Sequence, residues 1–189
     1  MPTVIRNVTP ADLDRCYEIE SLAYEGDEAA TFEKIRKRIH TWPQGFIVLE
    51  SDGTVAGFIN AGATFEVRMD DDAFKELVGH DPAGPHVVVM SMVVHPDFQG
   101  RGHAAQLMTE FIWRMKRLGK SSINLMCKSR HVPFYEKFGF VYLKPSASTH
   151  GRMAWHEMVL HMAEEPLGGR AQAKPTMHVE EKRRTEVRP

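Results

Sequence analysis

The sequence predicts an α/β (α+β) fold in which a mixed central sheet of about seven strands is covered by about four helices. In the first half, short apolar and β-branched runs are joined by a hairpin signal at Ser51-Asp52-Gly53. In the second half, two strand-like runs are each followed by a helical pattern and a further strand, which is the order of a crossover connection. At 189 residues the chain is long enough for one domain with a full core.

The first half is predicted to hold three strands and two helices. Thr9 can cap a first helix because Pro10, which follows it, suits the first helical position. Thr31 can cap a second helix over the segment FEKIRKRIH, whose apolar residues follow a helical period. The predicted strands of this half cover residues 3–8, 46–50 and 54–61.

The second half is predicted to hold the remaining strands and a long helix. Helical periodicity runs from Ala104 to Leu118 and ends at Gly119, and shorter helices are expected over 74–78 and 132–138. The predicted strands cover residues 87–94, 123–127, 140–143 and 153–161. Beyond them the residues lack periodicity, so we expect one domain over residues 1–163 and a flexible charged tail over residues 164–189.

A glycine-containing turn joins the strand at 87–94 to the long helix. Backbone N–H groups at the start of a helix and the positive end of its dipole converge on one point, which favours an anion. Gly100 and Gly102 would let the backbone approach a bulky pyrophosphate. The spacing differs from the GxGxxG loop for dinucleotides and from the GxxxxGK[ST] loop for nucleoside triphosphates.

Two motifs resemble those of the GNAT-type N-acetyltransferases. The pattern Gln-x-x-Gly-x-Ala at Gln99, Gly102 and Ala104 is similar to their acetyl-CoA loop, and VPFYEKFGF at 132–140 resembles their FYxxFGF signature. The resemblance implies the GNAT fold, acetyl-CoA as cosubstrate and direct acetyl transfer to an amine. It places acetyl-CoA against Met92, Val93, Val94, Gln99, Gly100, Arg101, Gly102, His103, Ala104, Ala105 and Tyr135. Tyr135 would protonate the departing thiolate of CoA, and backbone N–H groups near Met92 would stabilise the oxyanion.

A narrower resemblance points to the arylalkylamine (serotonin) N-acetyltransferases. LMCKSRHVPFYEKFGF is similar to the corresponding stretch of that family, and YEGDEAA at 24–30 resembles the substrate-side loop of its microbial members. The resemblance covers about residues 3–162 and implies a small primary amine such as serotonin, tryptamine or phenethylamine. It implies substrate contacts from Tyr24, Glu25, Asp27 and Glu28, although such an acidic loop is also a common solvated surface.

The chain departs from this family where a general base is needed. Vertebrate members carry two histidines on the central strand, and the matching positions here are Val88 and Met90, neither of which accepts a proton. We expect His86 to act as the base, because residues 86, 88 and 90 share a face of a regular strand and histidine has a pKa of about 6.5. The alternative is a solvent-exposed strand-end histidine, and His95 on the other face is a weaker candidate.

The composition indicates which binding partners and which cellular compartment to expect. The net charge of −1 gives no field that would draw the chain to nucleic acid or to an anionic membrane. No apolar window is long enough for a membrane span, and the first residues lack the apolar core of a signal peptide. The 2 cysteines form no disulfide framework and the 10 histidines no ligand pair, so we expect a cytoplasmic protein without metal, as a monomer or weak dimer.

Three other functions stay open at this point. A polyamine acetyltransferase would use the acidic run Asp70-Asp71-Asp72 in a wide cleft, although such a run is more often surface. A non-catalytic CoA-binding module would explain the missing histidines. Acetylation of a protein N-terminus or lysine would require an open peptide groove.

Overall fold

The computed structural model describes residues 2–24, 29–148 and 153–162, which form a seven-stranded sheet in the order β1-β2-β3-β4-β5-β7-β6. The strands are β1 (Thr3–Asn7), β2 (Phe46–Ser51), β3 (Thr54–Thr64), β4 (His86–Val94), β5 (Ser122–Cys127), β6 (Val141–Pro145) and β7 (His156–His161). The α-helices are α1 (Leu13–Ala23), α2 (Phe32–Thr41), α3 (His103–Arg117) and α4 (Val132–Glu136). Within the described strands, β4 and β5 pair in parallel and the other neighbours pair antiparallel. The prediction of a mixed sheet of this size with four helices is confirmed.

Local sequence signals account for the turns and helix starts. Asp52 and Gly53 have φ of 51° and 76°, so the predicted hairpin turns on two residues of positive φ, as a type I′ turn requires. The Thr31 hydroxyl accepts a hydrogen bond from the Lys34 N–H at 3.3 Å and caps α2. The helix expected after Thr9 begins with one 3₁₀ turn, Pro10–Asp12, in which the Asp12 N–H donates to the Thr9 carbonyl at 3.0 Å. The Asp12 carboxylate accepts from the Thr9 N–H at 2.7 Å, as in a capping box.

Helices cover both faces of the sheet. On one face, α3 buries a stripe of side chains against β2, β3 and β4, namely Leu107, Met108, Phe111 and Met115. On the other face, α1 and α2 bury Cys16, Ile19, Ile35 and Ile39 against Phe46 and Phe58. Each stripe follows the helical period of apolar residues in the sequence. The two packed layers hold the central strands rigidly and so position the groups at their ends.

The described part of the chain ends with β7 and Met162, whose N–H bonds to the Ser121 carbonyl at 2.9 Å. The predicted tail over residues 164–189 lies outside the described residues. None of the described helices combines the length and the apolar character needed to cross a membrane.

Candidate active site

Strands β4 and β5 separate along their length and open a cleft. They pair only from His86–Val88 to Ser122–Asn124, although both strands continue beyond this point. The Asn124 side-chain amide donates to the Val87 carbonyl at 3.2 Å where the pairing ends. On its other edge β4 stays paired with β3 as far as Val94. The β4 backbone beyond Val88 therefore has no strand partner on the β5 side within the described residues.

The cleft brings together residues that the sequence analysis assigned to acetyl-CoA. Its volume is about 390 Å³. Its lining includes Met92, Val93, Val94, Gln99, Ala104 and Tyr135 from that prediction. The opposite wall comes from β5 and α4 through Met126, Cys127 and Phe134. Burial raises the pKa of the Cys127 thiol to about 11, so this cysteine is a small apolar wall group rather than a nucleophile.

Tyr135 stands at the inner end of this cleft. Its hydroxyl lies 3.8 Å from the Met92 sulfur, and its ring packs edge-on against Phe134 and Phe140 at centroid distances of 5.1 and 5.7 Å. Desolvation raises the pKa of Tyr135 well above its ordinary value, so the phenol is protonated at neutral pH. The side chain is therefore held rigidly as a proton donor facing β4. Its role in catalysis stays a prediction.

The turn between β4 and α3 exposes its backbone. Gly100 and Gly102 have φ of 74° and 80°, and a Cβ added at either would meet no atom within 4 Å. Gly102 caps α3 without a side chain, and the first helical bond runs from the Gln106 N–H to its carbonyl at 3.1 Å. The N–H groups of the first turn of α3 consequently lack a helical partner. This turn fits the predicted pyrophosphate of acetyl-CoA.

The other side chains of the turn shape it from within. The Gln99 amide donates to the Val94 carbonyl at 3.0 Å and ties the turn to the end of β4. Arg101 donates to the Asp97 carbonyl at 2.8 Å and lies over the Phe98 ring. His103 is buried and Ala105 is half-buried, and neither lines the cleft. Contacts from these side chains to acetyl-CoA stay predictions.

A second cavity continues from the cleft on the α1 side of the sheet. It shares Tyr24, Met92, Met126, Tyr135 and Trp155 with the cleft. Its remaining apolar lining comes mainly from Met69, Phe74, Val88 and Met90. Its charged lining consists of Arg68, Asp71 and Lys75. This cavity is thus apolar and aromatic, with one carboxylate and two cations.

A bulge in β4 changes which side chains face this cavity. Asn60 of β3 pairs with Ser91 and Ala61 pairs with Val89, so Met90 has no partner across the strand pair. A regular strand would have placed Ser91 on the α3 side, whereas the extra residue turns Ser91 toward α1. A regular strand would turn Ser91 away from the cavity, so the alternation of residues in the sequence does not point to it.

The structure does not bring His86 together with Tyr135. His86 lies at the end of β4 that is still paired with β5, where its Nδ1 is 2.9 Å from the Ser122 hydroxyl. It does not line the cavity, and it lies five positions before Ser91, roughly 16 Å along the strand. His95 is buried at the other end of β4, where its Nδ1 accepts from the Asp97 N–H at 3.2 Å. The role of His86 as base stays a prediction.

A buried polar cluster, which the sequence analysis missed, lies directly behind the cavity. Glu20 Oε1 accepts hydrogen bonds from the Ala30 N–H at 2.9 Å and from the Ser91 hydroxyl at 3.0 Å. Arg38 from α2 donates to Asn60 Oδ1 at 3.3 Å, and all four of these polar side chains are buried. Desolvation raises the pKa of Glu20 and lowers that of Arg38. A signal was available, since Glu20 lies on the buried face of α1 with Ile19.

The substrate residues expected from the acidic loop are only partly described. Tyr24 lines both the cleft and the cavity, as a substrate contact requires. Glu25, Asp27 and Glu28 lie outside the described residues. Asp71 is the member of the run 70–72 that reaches the cavity, and its Oδ1 accepts from the Ala73 N–H at 2.9 Å. Across residues 2–24, 29–148 and 153–162, no three His, Cys, Asp or Glu side chains come together as a metal site.

Comparison with known sequences identifies relatives along most of the chain. The profile of the acetyltransferase (GNAT) family matches residues 13–140. The serotonin N-acetyltransferase of Mesocricetus auratus is 29% identical over 161 residues, which cover 81% of this chain and 74% of that protein. An uncharacterized N-acetyltransferase, MJ1207, of Methanocaldococcus jannaschii is 27% identical over 148 residues, which cover 72% of this chain and 59% of that protein.

Solved structures share the same architecture. The loading GNATL domain of CurA from Lyngbya majuscula superposes with a TM-score of 0.75 at 15% identity, covering 85% of this chain and 98% of that domain. The structure of yncA from Salmonella typhimurium with its cofactor acetyl-CoA has a TM-score of 0.64 at 22% identity, covering 89% and 99%. The GphF GNAT-like decarboxylase in complex with isobutyryl-CoA has a TM-score of 0.75 at 16% identity, covering 84% and 98%. At these identities the likeness establishes the fold, and the reaction has to be argued from the site.

Proposed function

Because the chain belongs to the acetyltransferase (GNAT) family and is an acetyl-CoA-dependent N-acetyltransferase, we propose that its acceptor is a small primary arylalkylamine. Tryptamine, serotonin and phenethylamine represent this class. The observation that carries the proposal is the apolar, methionine-rich and aromatic cavity that joins the cleft at Tyr135. The similarity to a serotonin N-acetyltransferase is consistent with this acceptor.

The separated strands suit the thioester end of acetyl-CoA. When bound, acetyl-CoA supplies the activated acetyl group. The free edge of β4 at Met92 and Val94 offers backbone groups to an extended chain, whereas those of Val93 face β3, and N–H groups near Met92 would stabilise an oxyanion. The turn from Gln99 to Ala105 would hold the pyrophosphate through its uncapped N–H groups.

Tyr135 would act as the general acid for the departing thiolate. It lies where the cleft meets the cavity, so a phenol proton is available at the junction between the two substrates. Its raised pKa keeps this proton in place at neutral pH. Fixed ring contacts with Phe134 and Phe140 orient the hydroxyl before the reaction starts.

The cavity favours an aromatic acceptor over a polyamine. Methionine and aromatic side chains provide adaptable apolar contacts for a flat ring. A polyamine carries several positive charges, whereas the charged lining is one carboxylate, Asp71, with two cations, Arg68 and Lys75. Both cations are already paired, Arg68 with Glu66 at 2.9 Å and Lys75 with Asp72 at 2.8 Å. Among the described residues, Asp71 is therefore the one lining carboxylate that can meet an ammonium group, which suits a single charge better than several. The cytoplasmic location and the monomeric or weakly dimeric state stay predictions.

The proposal is tested by the release of free CoA thiol from acetyl-CoA with tryptamine, serotonin, phenethylamine and spermidine as acceptors. We expect saturable turnover with the three aryl amines and little with spermidine. Preferential turnover of spermidine would contradict the proposal and favour a polyamine acceptor. Tight CoA binding without turnover of any amine would favour a non-catalytic CoA-binding module.

A further inference from the structure

We propose that Ser91 and Glu20 form the path that removes the proton from the amine, with the Ser91 hydroxyl as relay and the Glu20 carboxylate as terminal acceptor. The inference rests on the proposed function, because it requires a primary ammonium ion in the cavity. It supplies the base that Val88 and Met90 cannot provide.

The geometry connects the cavity to a carboxylate that does not itself line it. Ser91 lines the cavity and precedes Met92, whose sulfur contacts the Tyr135 hydroxyl. The Ser91 hydroxyl donates to Glu20 Oε1 at 3.0 Å. Glu20 lies on α1 one turn before Tyr24, which also lines the cavity. The path therefore needs one hydroxyl between the substrate and the carboxylate.

Glu20 has an acceptor oxygen that nothing in the described structure uses. Both hydrogen bonds to the carboxylate, from Ala30 and Ser91, end on Oε1. Oε2 is buried and has no partner among the described residues. A buried carboxylate with so few donors is poorly stabilised as an anion and is therefore a stronger base than an exposed one.

The charged and polar groups around Glu20 leave it free to take a proton. Arg38 on α2 attracts the carboxylate, but its hydrogen bonds go to Asn60 Oδ1 on β3 and to the Lys75 carbonyl. On α1 itself, Cys16 lies one turn before Glu20 and Tyr24 one turn after it. The pKa of the Cys16 thiol is raised beyond the neutral range, so this group does not compete for the proton.

The proton transfer balances without any further reactant. One N–H bond of the ammonium breaks as its proton passes to Ser91 Oγ, and the serine proton passes to Glu20 Oε1. The products are a neutral amine, an unchanged serine and a neutral carboxylic acid. Cancelling a cation and an anion is favoured in a cavity of low dielectric, and the amine nitrogen gains the lone pair it needs for attack. After product release the proton returns through Ser91 to water.

The test compares Ser91→Ala with Ser91→Thr, which keeps a hydroxyl, and with Ser51→Ala. Ser51 is a matched control because it is also buried in the sheet, on β2, and its hydroxyl has no partner among the described residues. With tryptamine at pH 7 we expect Ser91→Ala to lower kcat about 100-fold, the lower end of the range for general base catalysis. The KM for acetyl-CoA should stay unchanged, Ser91→Thr should retain kcat within about tenfold, and Ser51→Ala should match the wild type.

The pH profile separates a proton path from a packing role. Without the relay only the amine that is already neutral reacts, and its fraction rises about tenfold for each pH unit below the pKa of the amine. The loss of kcat in Ser91→Ala should therefore shrink about tenfold for each pH unit up to that pKa. A packing defect would not be repaired by high pH. Glu20→Gln should show the same rescue, and the Ser91 pair carries the test if the Glu20 variant fails to fold.

Several results would overturn the relay. One is a Ser91→Ala enzyme with the wild-type kcat and pH profile, and another is an equal loss in Ser91→Ala and Ser51→Ala that high pH does not restore. A loss restored by high pH in His86→Ala but absent in Ser91→Ala would assign the base to His86 instead. None of these variant results would contradict the proposed function. That function would be refuted by a wild-type protein that acetylates no amine.

Discussion

Replacing Tyr135 with Phe removes one oxygen atom at the junction of the cleft and the cavity and tests the proposed general acid. The ring contacts with Phe134 and Phe140 remain, so acetyl-CoA affinity should be unchanged. The lost hydroxyl contacts a thioether sulfur at 3.8 Å, a weak interaction, so the free energy of unfolding should change by less than ~1 kcal/mol. The effect should therefore fall on catalysis alone.

The expected loss of kcat follows from the environment of the phenol. General acids contribute about 10²- to 10⁴-fold to rate. Desolvation raises the pKa of Tyr135 and makes it a weak acid, so we expect the lower end, a fall of about 100-fold, which corresponds to ~2.7 kcal/mol of barrier. For the same reason kcat of the wild type should stay level to about pH 10, where an ordinary tyrosine starts to ionise.

The assay is thiol release under acetyl-CoA and tryptamine saturation, with CoA binding measured by calorimetry. Tyr142→Phe is the matched control, because Tyr142 is an exposed residue of β6 whose hydroxyl lies 3.4 Å from His156 Nδ1. The reasoning is refuted if Tyr135→Phe keeps kcat within twofold of the wild type. It is also refuted if kcat falls only together with CoA affinity, since the tyrosine would then position the cosubstrate.

Three further predictions concern the turn, an ion pair and the chain end. Gly102→Ala and Gly53→Ala both force a side chain into positive φ and should each lower the free energy of unfolding by about 1 kcal/mol. Only Gly102→Ala should raise the KM for acetyl-CoA, and equal KM values would remove the turn from the binding site. Arg6 lowers the pKa of the Asp12 carboxyl from 3.8 to about 2, so the pair stabilises the fold above about pH 4 and loses this effect as pH falls toward 2. Asp12→Asn should therefore cost about 1–2 kcal/mol in urea unfolding at pH 7 and almost nothing at pH 2, and an equal cost at both would contradict the pair. A chain truncated after residue 163 should keep the wild-type melting temperature and kcat, and loss of either would assign a role to residues 164–189.

The sequence by itself determined the architecture and the location of the glycine-containing turn between β4 and α3. Strand and helix periods, the Asp52-Gly53 hairpin and the glycines of the β4–α3 turn act through neighbouring residues, so local pattern was sufficient to predict them. The resemblance to the FYxxFGF signature implied that Tyr135 contacts acetyl-CoA, which stays a prediction, whereas the contact of its hydroxyl with the Met92 sulfur is seen only in the structure. The acceptor class remained an expectation, because no local pattern records the lining of a cavity.

Only the tertiary structure decided which side chains share the second cavity. A single extra residue at Met90 reverses the face of every later side chain on β4, and neither the bulge nor the separation from β5 leaves a mark in the local sequence. The contact between Ser91 and Glu20 joins residues 71 positions apart and depends on that bulge. Side-chain periodicity is a property of one segment of the chain. The proposed proton path joins a helix and a strand, so it depends on how these two segments pack against each other.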